Sequence, residues 1–442
     1  MGFFKDYLSK DSKFLIRNSS WVMFSNFSRV GLIFVKSIII TQSLGVKVYG
    51  DYLTILALIL SIQAFFNLNF GTVLIKFGSE YKAEGKDRHL HALLKLGYQT
   101  ALSSSLLSVV VITGFVFLTR YFFDQHSDQE WNVVVLALAF GSNFIDYIPE
   151  SFLRLHFKFK LTAFLSILST VIDLGITSVS AWIFRDEFSY FLYGIAGAKM
   201  ASSLCYNVLA SYFIRRLSKE RFFAPLSLIR TDFKTMFRFI SSNYGSRLLK
   251  NLIEQGDILV LGYFSNQSEV GIYGVGKRLG YAILSFIDPL VNSIFPQFAQ
   301  MIAEKNYKNL LQLIRQFSWI LVLPGLLLLV ITYFTKDFLI TFIYGSNFLP
   351  AADVFWVVLF AAIIASVTFW NITLLISLNE VNYRFKMNLF ILFVSLPTAY
   401  LVIPSYGALG AAIILVGIKL LESAIGSYRG IRIVQKQLRL HG

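Results

Sequence analysis

The stretch Glu254–Met301, EQGDILVLGYFSNQSEVGIYGVGKRLGYAILSFIDPLVNSIFPQFAQM, decides how this chain is read. Asp257 lies inside an apolar run, the chain turns at Ser265-Asn266, and it re-enters apolar sequence through Val270-Gly271. A charge at a bilayer centre costs about 2.5–3.5 kcal/mol on insertion scales, so a chain that keeps one there faces it to a cavity or a partner. Gly276-x-x-x-Gly280 offers a small-residue face on which another helix can pack closely. Just upstream, Arg247, Lys250, Glu254 and Asp257 are spaced 3, 4 and 3, which places them on one helical stripe.

Composition extends this reading to the whole chain. Of 442 residues 56% are hydrophobic and 15% charged, and the mean hydropathy is +0.63. That is more apolar surface than one soluble core can bury, in continuous runs near twenty residues long. Runs of that kind exclude a transmembrane barrel, whose strands alternate over about ten residues, and point to helices that satisfy their backbones internally. The single Cys205 excludes a disulfide framework. A net charge of +15 would suggest nucleic acid in a soluble protein; here the charges concentrate in alternate loops, and no nucleic-acid partner is expected.

Residues 1–16 interleave aromatic and charged side chains, as suits a helix lying in the membrane interface. Apolar spans are predicted at 17–41, 50–75, 96–119, 132–153, 161–184 and 190–214, then at 239–263, 270–299, 317–335, 351–379, 387–404 and 408–428. The fold class expected is therefore an all-α integral membrane protein of twelve helices, in two six-helix lobes around a central cavity. The lobes would cover 1–214 and 239–442, joined by a basic linker at 215–238. The termini and the loops after even-numbered spans hold 28 of the 40 Lys and Arg, against Lys47, Arg120, Arg185 and Lys336 on the other side. Positive residues stay in the cytoplasm, so both termini are expected there.

Laying the halves over each other with a shift of 221 brings Val48-Tyr49-Gly50 near Glu269-Val270-Gly271 and pairs Arg29 with Lys250. Six spans per half would relate the repeats by an axis along the membrane normal, with a shared cavity between them. Arg29 and Lys36 are two turns apart on one face of the first span. The candidate substrate cations are Arg29, Lys36, Arg247, Lys250, Lys277 and Lys419; the candidate ion-coupling acids are Asp173, Glu254 and Asp257. Blander arrangements compete. Lys250 and Arg247 could pair with Glu254 and Asp257, Lys36 and Lys277 could extend to the interface, and Lys419 could neutralise Glu422. Lys199 stands alone, and Asp173, in mid-span without a basic residue within a turn, is expected to be isolated or bonded to hydroxyls such as Ser169, Thr170 or Thr177. The five histidines lie in or beside loops, and neither a metal-ligand set nor a phosphate loop is visible. No cofactor and no catalysis are expected.

Several landmarks, in register, resemble the polysaccharide exporter family of the multidrug/oligosaccharidyl-lipid/polysaccharide superfamily. They are Arg17-Asn18-x-x-Trp21, Leu44-Gly45-x-x-x-Tyr49-Gly50, Val270-Gly271-x-Tyr273, the terminal Phe295-Pro296, Phe342-x-Tyr344-Gly345, Asn379-Glu380 and Ile403-Pro404-x-x-Gly407-Ala408. The resemblance implies a fold like that of the multidrug exporters. It further implies a flippase that moves an undecaprenyl-diphosphate-linked oligosaccharide, such as an O-antigen unit, across a bacterial plasma membrane, with a polysaccharide polymerase and a chain-length regulator as partners. A multidrug cation antiporter shares the helix count. A membrane polymerase would carry a long outer loop, whereas the longest here is about fifteen residues, 336–350.

Overall fold

The computed structural model describes residues 10–119, 130–184, 187–217, 224–285, 287, 294, 297–298, 300–302 and 304–441. Asp288, Pro289 and Phe295-Pro296, and with them part of the eighth expected span, lie outside these residues, as does residues 1–9 of the expected interfacial helix.

Among the described residues the backbone is helical, with no strand. The helices are α1 (Lys10–Phe66), α2 (Phe70–Ala83), α3 (Asp87–Thr119), α4 (Glu130–Leu155), α5 (Phe159–Ile183) and α6 (Phe188–Leu217). After a 3-10 turn at Leu226–Asp232 follow α7 (Phe233–Phe264), α8 (Gln267–Tyr281), α9 (Tyr307–Tyr344), α10 (Ala351–Val367), α11 (Trp370–Ser377) and α12 (Val381–His441). Two helices are really pairs. Gly45 breaks α1 at φ 69° and Gly407 breaks α12 at φ 50°, in the left-handed region that glycine enters without Cβ strain. With these breaks the helices supply the twelve expected spans, the eighth only in part.

Seven helical runs are long and apolar enough to cross a membrane, and two of them, Trp21–Ala83 and Asn382–Leu440, each contain a break and so cross twice. The expected spans on α6, which carries Lys199, on α7, which carries the charged stripe, and on the short α8 are not among these seven runs. On α9, Leu323, Leu327, Phe334, Phe338 and Phe342 are exposed, an apolar face that water would not tolerate and hydrocarbon does. The protein is a multi-pass membrane protein.

The chain forms two compact units, Met1–Ser43 with Ile59–Tyr244, and Leu44–Leu58 with Gly245–Gly442. In the first, α2 to α6 close on a core of Leu74, Leu93, Leu94 and Phe152. The described part of the basic segment at 215–238 is not a free strap, because Ala224, Ile229 and Met236 are buried in that core and Tyr81 donates its hydroxyl to Asp232 at 2.5 Å.

The second unit shows why residues 44–58 belong with it. A Cβ on Gly50 would lie 1.7 Å from the carbonyl oxygen of Gln267, and one on Gly271 would lie 2.1 Å from that of Val46. These four positions are related pairwise by the shift of 221, so the weak sequence repeat becomes a reciprocal contact in which two backbones touch through their glycines. Gly276 and Gly280 seat α8 on Val354 and Val358 of α10, as the small-residue spacing predicted. Asn266 caps α8 by accepting from the Glu269 amide at 3.1 Å, and Glu269 accepts from the Ala408 amide at 2.6 Å, beside the break at Gly407.

Candidate functional site

The first unit encloses a polar cavity of about 440 Å³. Its charged lining comes from four helices: Arg29 of α1, Asp146, Glu150 and Arg154 of α4, Asp173 of α5 and Lys199 of α6. Each carboxylate has a cation. Lys36 Nζ lies 2.7 Å from Asp173 Oδ1, Arg154 is 2.6 Å from Glu150 one turn away, and Lys199 is 3.9 Å from Asp146. Asp146 also accepts from Ser203 at 2.5 Å and Asn207 at 2.6 Å. Arg29, half-buried, makes no ion pair among the described residues. With the acids neutralised, its guanidinium is the positive charge this cavity presents.

Three expectations are corrected here. Asp173 is not isolated, and the hydroxyl reading of it also fails, because Ser169 and Thr170 donate instead to the Ser166 carbonyl. Lys36 does not extend to the interface but turns onto Asp173, with 13% and 15% of the two side chains exposed. Lys199 does not stand alone. All three partners come from other helices, at sequence separations that no periodicity encodes.

Removing one member of a buried pair leaves an uncompensated charge, at a cost of about 3–5 kcal/mol, whereas replacing both with apolar groups is often near neutral. Lys36→Met is therefore expected to lower the thermal midpoint of the purified protein sharply, and Lys36→Met/Asp173→Leu to recover most of it. Additive losses in the double variant would show that the two side chains do not interact.

In the second unit the charged stripe of α7 divides. Lys250 lies 3.5 Å from Glu254 on its own helix, but Asp257 pairs with neither Lys250 nor Arg247. Instead Lys277 of α8 turns inward to Asp257 at 2.5 Å and donates to the Glu254 carbonyl oxygen at 2.8 Å, while Tyr273 donates to Asp257 at 2.6 Å. The reading in which Lys277 reaches the interface is thus overturned. Lys419 pairs with Glu422 at 2.7 Å, as their spacing suggested. Lys250, Glu254, Lys419 and Glu422 line a second cavity of about 180 Å³, together with Arg384. Arg247 is not among the residues lining either cavity. Arg29 and Lys250, equivalent under the shift of 221, each line the cavity of their own unit.

Arg154 and Arg384 escaped the sequence reading because both fall near span ends, where they count as loop charges. The signal for Arg384 was its place three residues before an apolar span. His156, in the turn after α4, places Nδ1 2.9 Å from the Phe152 carbonyl oxygen, and burial holds its pKa below the usual range. No cluster of three metal-ligating side chains exists among the described residues.

The model of the polysaccharide biosynthesis protein family matches residues 15–302. The chain belongs to that family. The chain is 22% identical over 272 residues to the Man(5)GlcNAc(2)-PP-dolichol translocation protein RFT1 of Schizosaccharomyces pombe, a match that covers 59% of the chain and 50% of the relative. It is 25% identical over 223 residues to the Haloferax volcanii protein named "probable low-salt glycan biosynthesis flippase Agl15", across 48% of the chain and 46% of that protein. The chain thus spans about half the length of the curated relatives it matches. In fold, the chain is similar to the Vibrio cholerae MATE transporter VcmN, with TM-score 0.64, 16% identity and 97% of each chain covered. The architecture is that of a MATE transporter, as the resemblance of the sequence landmarks implied.

Proposed function

We propose that this protein is a flippase that carries a lipid-linked oligosaccharide diphosphate, such as an O-antigen unit, from the inner to the outer leaflet of a bacterial plasma membrane. The observation that carries the reading is Arg29, a half-buried guanidinium left without a carboxylate in a cavity whose other charges are paired. A diphosphate head must shed water to cross, and a guanidinium fork replaces that hydration with charge-assisted hydrogen bonds. The names of the two relatives, one a dolichol-diphosphate glycan translocation protein and one a glycan flippase, support the same chemistry. On this reading the protein transports and does not catalyse, and both termini are cytoplasmic. Polymerase and chain-length regulator are its partners.

The remaining cations act on the head in turn. Asp173, Glu254 and Asp257 are each held by a lysine, Lys36, Lys250 and Lys277. A coupling cation loads on such a carboxylate when its lysine moves to the substrate. The rival reading, an exporter of organic cations, conflicts with the unpaired positive charge of Arg29 itself.

Vesicles reconstituted with the full chain are expected to translocate a lipid-diphosphate oligosaccharide, without competition from tetraphenylphosphonium. Asp173→Asn is expected to weaken the response to an imposed proton or sodium gradient. Transport of tetraphenylphosphonium with an unmoved glycan lipid would replace the flippase reading with the rival one.

A further inference from the structure

We infer that the second unit holds its own anion site, centred on Arg384, which takes the phosphate groups of the glycan-lipid head. The inference rests on the flippase reading and adds a second station to it.

The cavity of about 180 Å³ is lined by α7, α11 and α12 and by residues at the end of α10. It brings three cations, Lys250, Arg384 and Lys419, against two carboxylates, Glu254 and Glu422. Each of those carboxylates is engaged by its own lysine, at 3.5 Å and 2.7 Å. The acid four residues before Arg384, Glu380, just ahead of α12, is taken by Arg429 at 2.9 Å. Arg384 is half-buried and forms no ion pair among the described residues. A guanidinium drawn out of water without a counter-charge is costly, so a cavity that keeps one is built for an anion that arrives from outside the chain.

Geometry narrows the anion's chemistry. A guanidinium presents its donors as a planar fork, which matches two oxygens of one phosphate group. Asn371, 5% exposed, lines the same cavity, and its side-chain oxygen accepts from no donor among the described residues. Its amide nitrogen donates to the Glu422 carbonyl at 3.2 Å, and a Cβ on Gly426 would lie 2.5 Å from the amide, so the side chain is fixed in place. A phosphate ester therefore meets a cation and a fixed polar wall. The cavity has the volume of about six waters at ~30 Å³ each, enough for a phosphate and its immediate neighbours.

Two sources offer a phosphate ester here, the glycan-lipid head and the headgroup of a bulk anionic phospholipid. The test uses the full chain in phosphatidylcholine nanodiscs and follows the binding of inorganic diphosphate by calorimetry. Arg384→Gln is expected to weaken one class of site by about tenfold or more, and Arg384→Lys by less, because the fork is lost while the charge stays. Adding phosphatidylglycerol to the nanodiscs is expected to leave diphosphate binding unchanged. Wild-type binding by an Arg384→Gln protein with an unaltered thermal midpoint would overturn the site. Arg384-dependent competition by phosphatidylglycerol would overturn its assignment to the glycan head. Either result, with translocation still dependent on Arg29, removes this station alone. Loss of the flippase reading itself would show instead as a glycan lipid left unmoved by the wild-type protein in the same vesicles.

Discussion

Arg29→Ala is expected to abolish export while the protein still accumulates in the membrane at normal level. The three acids around Arg29 have other cations within 4 Å, so removing it uncovers no buried carboxylate and the fold has little to lose. The substrate loses much more. Hydrogen bonds to charged groups are worth about 1.5–3 kcal/mol each, and a bidentate fork makes two of them. A loss of about 3 kcal/mol or more is two orders of magnitude in rate or occupancy. Arg29→Lys keeps the charge without the fork and is expected to restore only part of the flux. Initial rates of glycan-lipid translocation in vesicles, normalised to reconstituted protein, measure both effects. Wild-type flux in Arg29→Ala vesicles would remove this residue from the path of the substrate.

The second large effect concerns packing. At Gly271 a methyl group would sit 2.1 Å from the Val46 carbonyl oxygen and at Gly50 it would sit 1.7 Å from that of Gln267, distances at which backbone has to move. Overpacking of a tight contact costs about 1–3 kcal/mol and sometimes more, and here no flexible side chain can yield to absorb it. Gly271→Ala and Gly50→Ala are each expected to lower the thermal midpoint of the detergent-solubilised protein strongly. Gly31→Ala, where a Cβ meets nothing within 4 Å, is the matched control and should leave it unchanged. Gly271→Ala protein that melts with wild type would show that the two backbones are not in contact in the membrane.

Much of this contact was legible beforehand. The repeat that aligns residue 50 with residue 271 is visible in the sequence, and glycine at both positions signals close approach. That the two glycines meet each other, and so draw residues 44–58 into the second unit, is decided by the crossing of two helices far apart in the chain.

The charged residues divide in the same way. Apolar run length depends on neighbours along the chain, so the helical class and the expected spans follow from sequence. The spacing of Lys250 with Glu254 and of Lys419 with Glu422 likewise foretells their pairing, since residues three and four apart share a helix face. Asp173 with Lys36, Asp257 with Lys277 and Asp146 with Lys199 are pairs between helices. Their formation depends on which faces the packed helices turn toward one another, and helical periodicity says which face a residue occupies but not what stands opposite it. For the same reason only the tertiary structure shows that the carboxylates of the two cavities are engaged and that Arg29 and Arg384 are left over.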